Sequence, residues 1–596
     1  MENKYVKILS AAVVSVSLVS CESMWKEKPT NDWDQKYIWN VAEMAQGVLY
    51  NAYEAMPAMP DTYGSNFLDV ATDNALTSNY TSSAYNLAMG KLSATNNPIA
   101  DWSDCYTALQ YVNLFLENGL TENTLYDRVD PAQDAAYKKR LYGEAHFLRA
   151  YWGFRLLQQY GGKVQDGTVL GYPKYIHFVT DEQAADLESV ERSTYEDCVK
   201  QIMDDCDEAM ANLPSSYSGA DPVSGDVNIG RATALVAAAL KSRVALYAAS
   251  PAYRPDAVVK INGMGDFSVV DEAAYIAKWE EAALIADQTI KMSGFGTEFY
   301  ALQATDIADV GNTTPSEFLM RAYYNSKALE NRHFPPYYLG TANTVPSQNL
   351  VDAFPMKNGY PIDDPQSGYD EDNPYANRDN RFYLNVYYHG AKFGNNGEPI
   401  NVVYGGKDSP SFDQYGSRSG YYLAKFLSKS ESMLDPLASA NVQHYYPIFR
   451  KAEVFLNYAE AANEAWGPTG NPQGCQYSAY DIIKIIREKS GGITDTGYLD
   501  EAAAQGKDAF RKVIQNERRI ELAFENHRYF DMRRWLLDLT EPVYGVSVTD
   551  EDGQFRYDTH VKLEDRKFDD IKFYYAPLPY EECVKCPNLV NNLGWE

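Results

Sequence analysis

Residues 511–535 read RKVIQNERRIELAFENHRYFDMRRW. The stretch has no Pro or Gly, so it predicts one helix of about seven turns. On a wheel of 3.6 residues per turn, Phe510, Val513, Ile514, Glu517, Glu521, Phe524 and Arg528 share a stripe. Two carboxylates therefore stand among apolar neighbours on a face that must bury. A buried carboxylate needs a paired cation, and Arg supplies one in bidentate geometry. Arg518, Arg519, Arg528, Arg533 and Arg534 are the partners expected from the sequence. Glu517 and Glu521 lie one turn apart, about 5–6 Å between Cβ atoms, near the roughly 5–5.5 Å that separates the carboxyls of a retaining glycosidase. Those catalytic carboxyls flank a substrate from opposite sides, however, and these two project from one face of one helix. The stretch therefore reads as a scaffold that docks onto other helices.

Its charged pattern also resembles the C-terminal helix of the SusD/RagB outer-membrane nutrient-binding lipoproteins. Asn516-Glu517-Arg518-Arg519, Glu521-Leu522, Glu525, Arg528, Asp531 and Arg533-Arg534-Trp535 carry the likeness. It extends to Trp102, Tyr106, Asn113, Glu144, Phe147, Arg149 and Tyr160-Gly161, and to Ser347–Phe354, Lys357–Gly359, Asn373–Phe382 and Gly420–Phe426. Tyr575–Pro579 and Asn588–Trp595 resemble the family's ending, with Asn591 and Leu593 where Gln and Pro are usual, and Asp379-Asn380 stands for the usual Asp-Pro. The resemblance implies a mainly α, tetratricopeptide-like helix-pair scaffold with a loop-rich, short-strand insertion. It implies a cell-surface binding protein, not an enzyme, that holds oligosaccharide or polysaccharide. The protein would pass its glycan to a SusC-like TonB-dependent transporter and cap the barrel as a lid. Peptide binding, as in RagB-like members, a purely structural lid and, least favoured, a surface glycoside hydrolase remain as alternatives.

The chain has 596 residues and a net charge of −29, which argues against a nucleic-acid partner. Lys4 and Lys7 precede an apolar run of 12 residues, Ile8 to Val19, too short to span a bilayer. Leu18-Val19-Ser20-Cys21 then reads as a bacterial lipobox. Cleavage would leave Cys21 to carry an anchoring lipid, and the resemblance implies that the anchor sits in the outer membrane with the protein facing outward. The predicted organisation is 1–20 signal peptide, 21–35 tether, 36–294 helical, 295–440 loops and short strands, and 441–596 helical. Helices are expected at Trp39–Ala55, Asp101–Asn118, Ala135–Tyr160, Thr194–Leu213, Arg231–Ala249, Ala274–Met292, Tyr446–Glu464 and Ala479–Lys489. Glu317–Arg321 and Phe382–Tyr388 are expected strands.

Catalytic chemistry is hard to find in this sequence. No HExxH, P-loop or dinucleotide fingerprint occurs, and Gly416-Ser-Arg-Ser-Gly420 has Arg418 where a nucleophile would stand. Cys583-Val-Lys-Cys586 has no second pair to complete a zinc site, and Cys198 with Cys206 reads as core. Asp363-Asp364 and Asp370-Glu371-Asp372 lack the ligand ladder of a calcium loop. No cofactor and no metal are expected. In the family, the ligand platform lies on loops that correspond to residues about 60–100 and 295–345. None of the nine Trp falls there, so a sugar-stacking surface must be Tyr or Phe. Tyr80, Tyr85, Tyr323, Tyr324, Phe334, Tyr337 and Tyr338 are the candidates, with Asp69, Asp73, Asn79 and Arg332 as hydrogen-bonding partners.

Overall fold

Helices stack one on the next through most of the chain. The computed structural model describes residues 35–254, 276–292, 317–437 and 439–595. The predicted leader, the lipobox at Cys21 and nearly all of the tether lie outside them. The stack comprises α1 (Ala42–Glu54), α2 (Trp102–Asn118), α3 (Pro131–Tyr160), α4 (Tyr195–Asn212), α5 (Ala234–Ala249) and α6 (Ile276–Met292). It resumes with α7 (Lys451–Trp466), α8 (Ala479–Lys489), α9 (Gly497–Gln505) and α10 (Lys507–Glu521), and a short α11 (Arg528–Arg534) follows. Each of α1 to α6 packs on its successor, and α6 packs directly on α7. Local chemistry sets the ends: Asp130 accepts from the amides of Ala132 and Gln133 to start α3 with Pro131 in its first turn, and Thr233 caps α5. The Ala-rich α5 is buried on nearly every side, as a helix between two neighbours must be.

Sequence neighbours α6 and α7 are thus separated by a long excursion. It enters through β2 (Phe318–Asn325) and leaves through β4 (Gln443–Arg450), which pair antiparallel and put Phe318 opposite Arg450. Two further strands, β1 (Ala75–Thr77) and β3 (Thr344–Pro346), also pair, and β5 (Val543–Glu551) with β6 (Gln554–Glu564) forms a hairpin. The excursion has a core of its own, in which Phe67, Phe334, Phe382, Tyr421, Phe426 and Phe524 are buried. Three local expectations change. Phe382–Tyr388 is mostly the short helix Asn380–Asn385, because Asp379 caps it by accepting from the Arg381 amide. Tyr446–Arg450 is strand, because the pairing with β2 outweighs helical periodicity. The hairpin of β5 and β6 was not expected at all.

The stretch 511–535 is two helices, not one. Between α10 and α11 the chain turns through Phe524 and Asn526, both with φ near +60° (62° and 63°). No Gly marks the turn, so tertiary contacts must hold it. The Phe524 amide donates to Asp69 Oδ1 at 3.1 Å, the Asn526 carboxamide accepts from the Leu68 amide at 2.9 Å, and its nitrogen donates to the Pro60 carbonyl at 2.8 Å.

The ion-pair reading of Glu517 and Glu521 holds, but with other partners. Arg381 reaches Glu517 at 2.8 Å and Glu521 at 3.2 Å, and Arg450 reaches Glu521 at 2.9 Å and Glu525 at 2.7 Å. The arginines of the stretch turn elsewhere: Arg518 to Asp531, Arg519 and Arg528 to Asp73, and Arg534 to Glu460 and Asp531. Glu453, on the turn after Arg450, pairs with Arg243 instead. Burial pushes the Glu521 carboxyl up, but Arg450 and Arg381 outweigh it and hold it below its usual range. Burial also raises Glu525, yet Arg450 and Lys425 bring it down to about 2. Glu317 behaves oppositely: burial outweighs Arg450 and pushes it up to about 8. Glu317, Glu517, Glu521 and Glu525 are each no more than 5% exposed.

Candidate functional site

The pairing of β1 with β3 brings together loops that are some 270 residues apart in sequence, with Ala75 opposite Pro346 and Thr77 opposite Thr344. Side chains tie the join. Asn343 Nδ2 donates to the Ser65 carbonyl at 3.0 Å, Thr344 Oγ1 to Asn66 Oδ1 at 2.9 Å, and Arg332 to Asp61 at 2.8 Å. The described parts of the two regions expected to hold a ligand are therefore joined, while residues 295–316 of the second lie outside the described residues.

Two tyrosine pairs stand on the joined surface. Tyr80 is 52% exposed and meets Tyr85 edge to face, with ring centres 5.1 Å apart. Tyr337 is 47% exposed and meets Tyr338 in the same way, also at 5.1 Å. Tyr338 stacks on Phe393 at 4.2 Å, which fixes the ring behind Tyr337. A third loop, 401–418, links the pairs. Lys407 Nζ sits 4.2 Å from the Tyr337 ring centre, and the Arg418 guanidinium sits 5.0 Å from that of Tyr80. Lys407 also pairs with Glu398 at 2.9 Å, and Arg418 with Glu564 at 3.2 Å while donating to the Thr77 carbonyl at 2.8 Å.

Loop 401–418 adds three exposed aromatics that the sequence reading missed: Tyr404 (88%), Phe412 (65%) and Tyr415 (47%). They stand on a tied backbone. Asp408 Oδ2 accepts from the Asn401 amide at 2.8 Å, the Tyr422 hydroxyl donates to the Asp408 carbonyl at 2.6 Å, and Ser411 Oγ accepts from the Gly405 amide at 2.7 Å. Burial pushes the Asp408 carboxyl up to about 6. The signal was present in VVYGGKDSPSFDQYGSRSG, where aromatics recur in a stretch with no periodicity. Such rings offer flat apolar faces and hydroxyls. No hydrogen bond within the described residues occupies the hydroxyls of Tyr80, Tyr337, Tyr404 or Tyr415. Neighbouring rings and cations hold Tyr80 and Tyr337, so a ligand would meet these two partly preorganised.

Several expected ligand contacts are structural instead. Asp69 is buried and accepts from Asn74 Nδ2 and the Phe524 amide. Asp73 is buried between Arg519 and Arg528, which outweigh burial and hold its carboxyl far below the usual range. Phe334 is fully buried, edge-on to Phe393. Tyr324 is half-buried against His444, with ring centres 5.2 Å apart. Tyr323 is exposed but lies on β2 beside Tyr445, and no contact among the described residues joins it to the tyrosine surface. Asn79 turns its carboxamide oxygen onto Thr81, and Arg332 is half-exposed with one nitrogen on Asp61.

Every Trp among the described residues is buried or half-buried. Those residues hold no group of three His, Cys, Asp or Glu side chains placed to bind a metal. Cys198 and Cys206 are in the core, and Cys583 and Cys586 are unpaired thiols. No described helix is long and apolar enough to cross a membrane.

Known proteins share this architecture. The family model described as "SusD family" matches residues 307–595, and that described as "Starch-binding associating with outer membrane" matches residues 24–246. The chain belongs to the SusD family. A SusD-like protein from Bacteroides fragilis NCTC 9343 superposes with a TM-score of 0.70 at 24% identity, covering 94% of this chain and 99% of that one. A SusD-like carbohydrate binding protein from the same strain gives 0.65 at 21% identity, covering 92% and 99%. Among curated sequences, SusD-like protein P38 of Formosa agariphila is 22% identical over 567 residues, 91% of this chain and 94% of that protein. The likeness to SusD-like protein P25 of the same organism, 36% identical, is confined to 96 residues, 16% of each chain. The residues of this SusD-like chain that carry the sequence resemblance do structural work. Asn113 donates to the carbonyls of Tyr175 and His177, Glu144 pairs with Arg140, and Arg149 with Asp205.

Proposed function

We propose that this SusD-like protein is a glycan-binding lipoprotein of the outer membrane, anchored through Cys21 and exposed at the cell surface. It holds oligosaccharide or polysaccharide on the tyrosine surface and hands it to a SusC-like TonB-dependent transporter. The observation that carries the reading is the convergence of three loops, 60–85, 328–344 and 401–418, on one surface with exposed, fixed rings. Tyr80 and Tyr337 supply stacking faces, with Tyr404, Phe412 and Tyr415 extending them. Arg332, Lys407 and Arg418 supply donors to sugar hydroxyls. Binding, not bond cleavage, is the role: the carboxylates nearest a catalytic spacing, Glu517 and Glu521, are buried and paired.

The test is titration calorimetry of the chain from Glu22 onward against a panel of polysaccharides and a mixed peptide pool. Saturable heat with a glycan, lost in Tyr80→Ala and Tyr337→Ala, supports the reading. Heat with peptides alone would move the protein to a peptide-binding role, and silence with both would leave a structural lid.

A further inference from the structure

A second concavity opens where α10, the 352–371 loop and the hairpin meet. It encloses about 630 Å³ and touches none of the three tyrosine-bearing loops. That volume is typical of a site for a small ligand, roughly 300–1,000 Å³.

Three more tyrosines line it: Tyr369, Tyr498 and Tyr557. Their rings are held from the side or behind. Tyr557 meets Tyr375 edge to face at 5.3 Å, Tyr498 meets Tyr360 at 5.6 Å, and the Arg378 guanidinium lies 5.8 Å from the Tyr369 ring centre. No hydrogen bond within the described residues occupies their hydroxyls.

The other polar groups of the cavity are mostly acceptors. Asp352 takes one hydrogen bond, from Gln348 at 2.6 Å, and burial raises its carboxyl. Asn516 donates its amide nitrogen to the Ala353 carbonyl at 2.8 Å, which leaves the carboxamide oxygen available. Asp363 and Glu371 are exposed at the mouth. The arginines there are already engaged. Arg487 contacts Glu517 at 3.5 Å and donates to the Gly359 carbonyl, and Arg519 pairs with Asp73 at 2.9 Å while donating to Asn74 at 2.8 Å. Five acids line the cavity, Asp352, Asp363, Glu371, Glu517 and Asp558, against the engaged Arg487 and Arg519 and an exposed Lys512, so the wall as a whole disfavours phosphate and carboxylate ligands. It suits a molecule that is uncharged, rich in hydroxyl donors and flat enough to lie against tyrosine.

We propose that this cavity is a second carbohydrate site, taking one or two uncharged pyranose units. It rests on the reading that the protein binds glycan, and adds a subsite that shares no lining residue with the tyrosine loops. Short ligands enter it, while a long chain lies on the open surface. With both occupied, the protein holds glycan at two points, so a polymer reaching both gains affinity through effective concentration.

The test is saturation-transfer NMR on the full chain with maltose, cellobiose, xylobiose and lactose, using glucose 6-phosphate as a charged comparator. A Tyr80→Ala/Tyr337→Ala protein is expected to keep binding at least one of the uncharged disaccharides. Adding Tyr498→Ala, or Tyr369→Ala as an independent variant, is expected to weaken that residual binding tenfold or more with the melting temperature retained. Residual binding that neither cavity variant changes overturns the proposal, as does a preference for glucose 6-phosphate. If the Tyr80→Ala/Tyr337→Ala protein binds no disaccharide that the wild type binds, the second site falls and the glycan-binding reading stands. If the wild type binds no sugar at all, both fall.

Discussion

At the neck of the excursion, Arg450 is 1% exposed and contacts Glu317, Glu521 and Glu525. At its tyrosine surface, Lys407 and Arg418 lie over Tyr337 and Tyr80, rings about half exposed to water. Both regions are rich in charge, and the surroundings decide what the charge does. In the neck, desolvation makes the Glu521 and Glu525 carboxylates dependent on Arg450, so the network fixes where β2, β4 and α10 meet. On the surface, water screens the cations, and the aromatic faces beside them are free for a ligand. A change in the neck should therefore act on stability, and a change at the surface on affinity.

The largest effect should come from Arg450→Ala. It strands buried carboxylates and is expected to cost about 3–5 kcal/mol, or to prevent folding. Chemical denaturation would measure it, and a loss under 1 kcal/mol would break the contrast.

The two ends of the Arg450 network should respond to pH with opposite signs. Glu525 is depressed to about 2 from an ordinary 4.5, so its stabilisation is full above the unfolded value and fades as pH falls from 4.5 through 2. Glu317 is raised from 4.5 to about 8, so the fold keeps a proton that the unfolded chain releases, and stability drops as pH rises from 4.5 towards 8. Glu317→Gln should thus lose least at pH 8 and flatten the decline of melting temperature between pH 5 and pH 8. An unchanged slope would mean that Glu317 is charged in the fold.

The surface was far less legible in the sequence than the neck. The helices at 102–118 and 479–489 were readable because apolar periodicity and end signals agreed. Glu517 and Glu521 were readable as ion-paired, since burial on a helix stripe demands a cation, but the identity of that cation was not. Arg381 and Arg450 lie 136 and 71 residues away from Glu517 and Glu521 respectively, and only the paired strands of the neck bring Arg450 in. The turn at Phe524 and Asn526 was invisible because its hold comes from residues 60–69. On the surface, Tyr80 and Tyr337 could be named from their loops. Tyr404 and Tyr415 show only as aromatics in an aperiodic stretch, because nothing local ties loop 401–418 to the other two. The acids Asp69 and Asp73 misled because an acidic loop residue looks the same in sequence whether it meets a ligand or, as here, a backbone amide and Asn74 for Asp69 and an Arg pair for Asp73.

Smaller effects belong to the surface. Tyr80→Ala and Tyr337→Ala should each leave stability within about 0.5 kcal/mol, yet weaken glycan binding by about 1–2 kcal/mol, or five- to thirtyfold. Titration calorimetry beside a melting curve separates the two quantities, and a Tyr337→Ala protein that melts much earlier would place that ring in the scaffold. Lys407→Met should do least. It removes one exposed cation from Tyr337 and is expected to change affinity about two- to fivefold, at roughly 0.5–1 kcal/mol.

The most direct test of the account is calorimetric titration of a Tyr80→Ala/Tyr337→Ala/Tyr404→Ala protein with the polysaccharide that the wild type binds best. The account predicts that polysaccharide affinity falls at least a hundredfold while the melting temperature stays within a few degrees of wild type. Undiminished heat at an unchanged melting temperature would contradict it and place recognition elsewhere on the molecule.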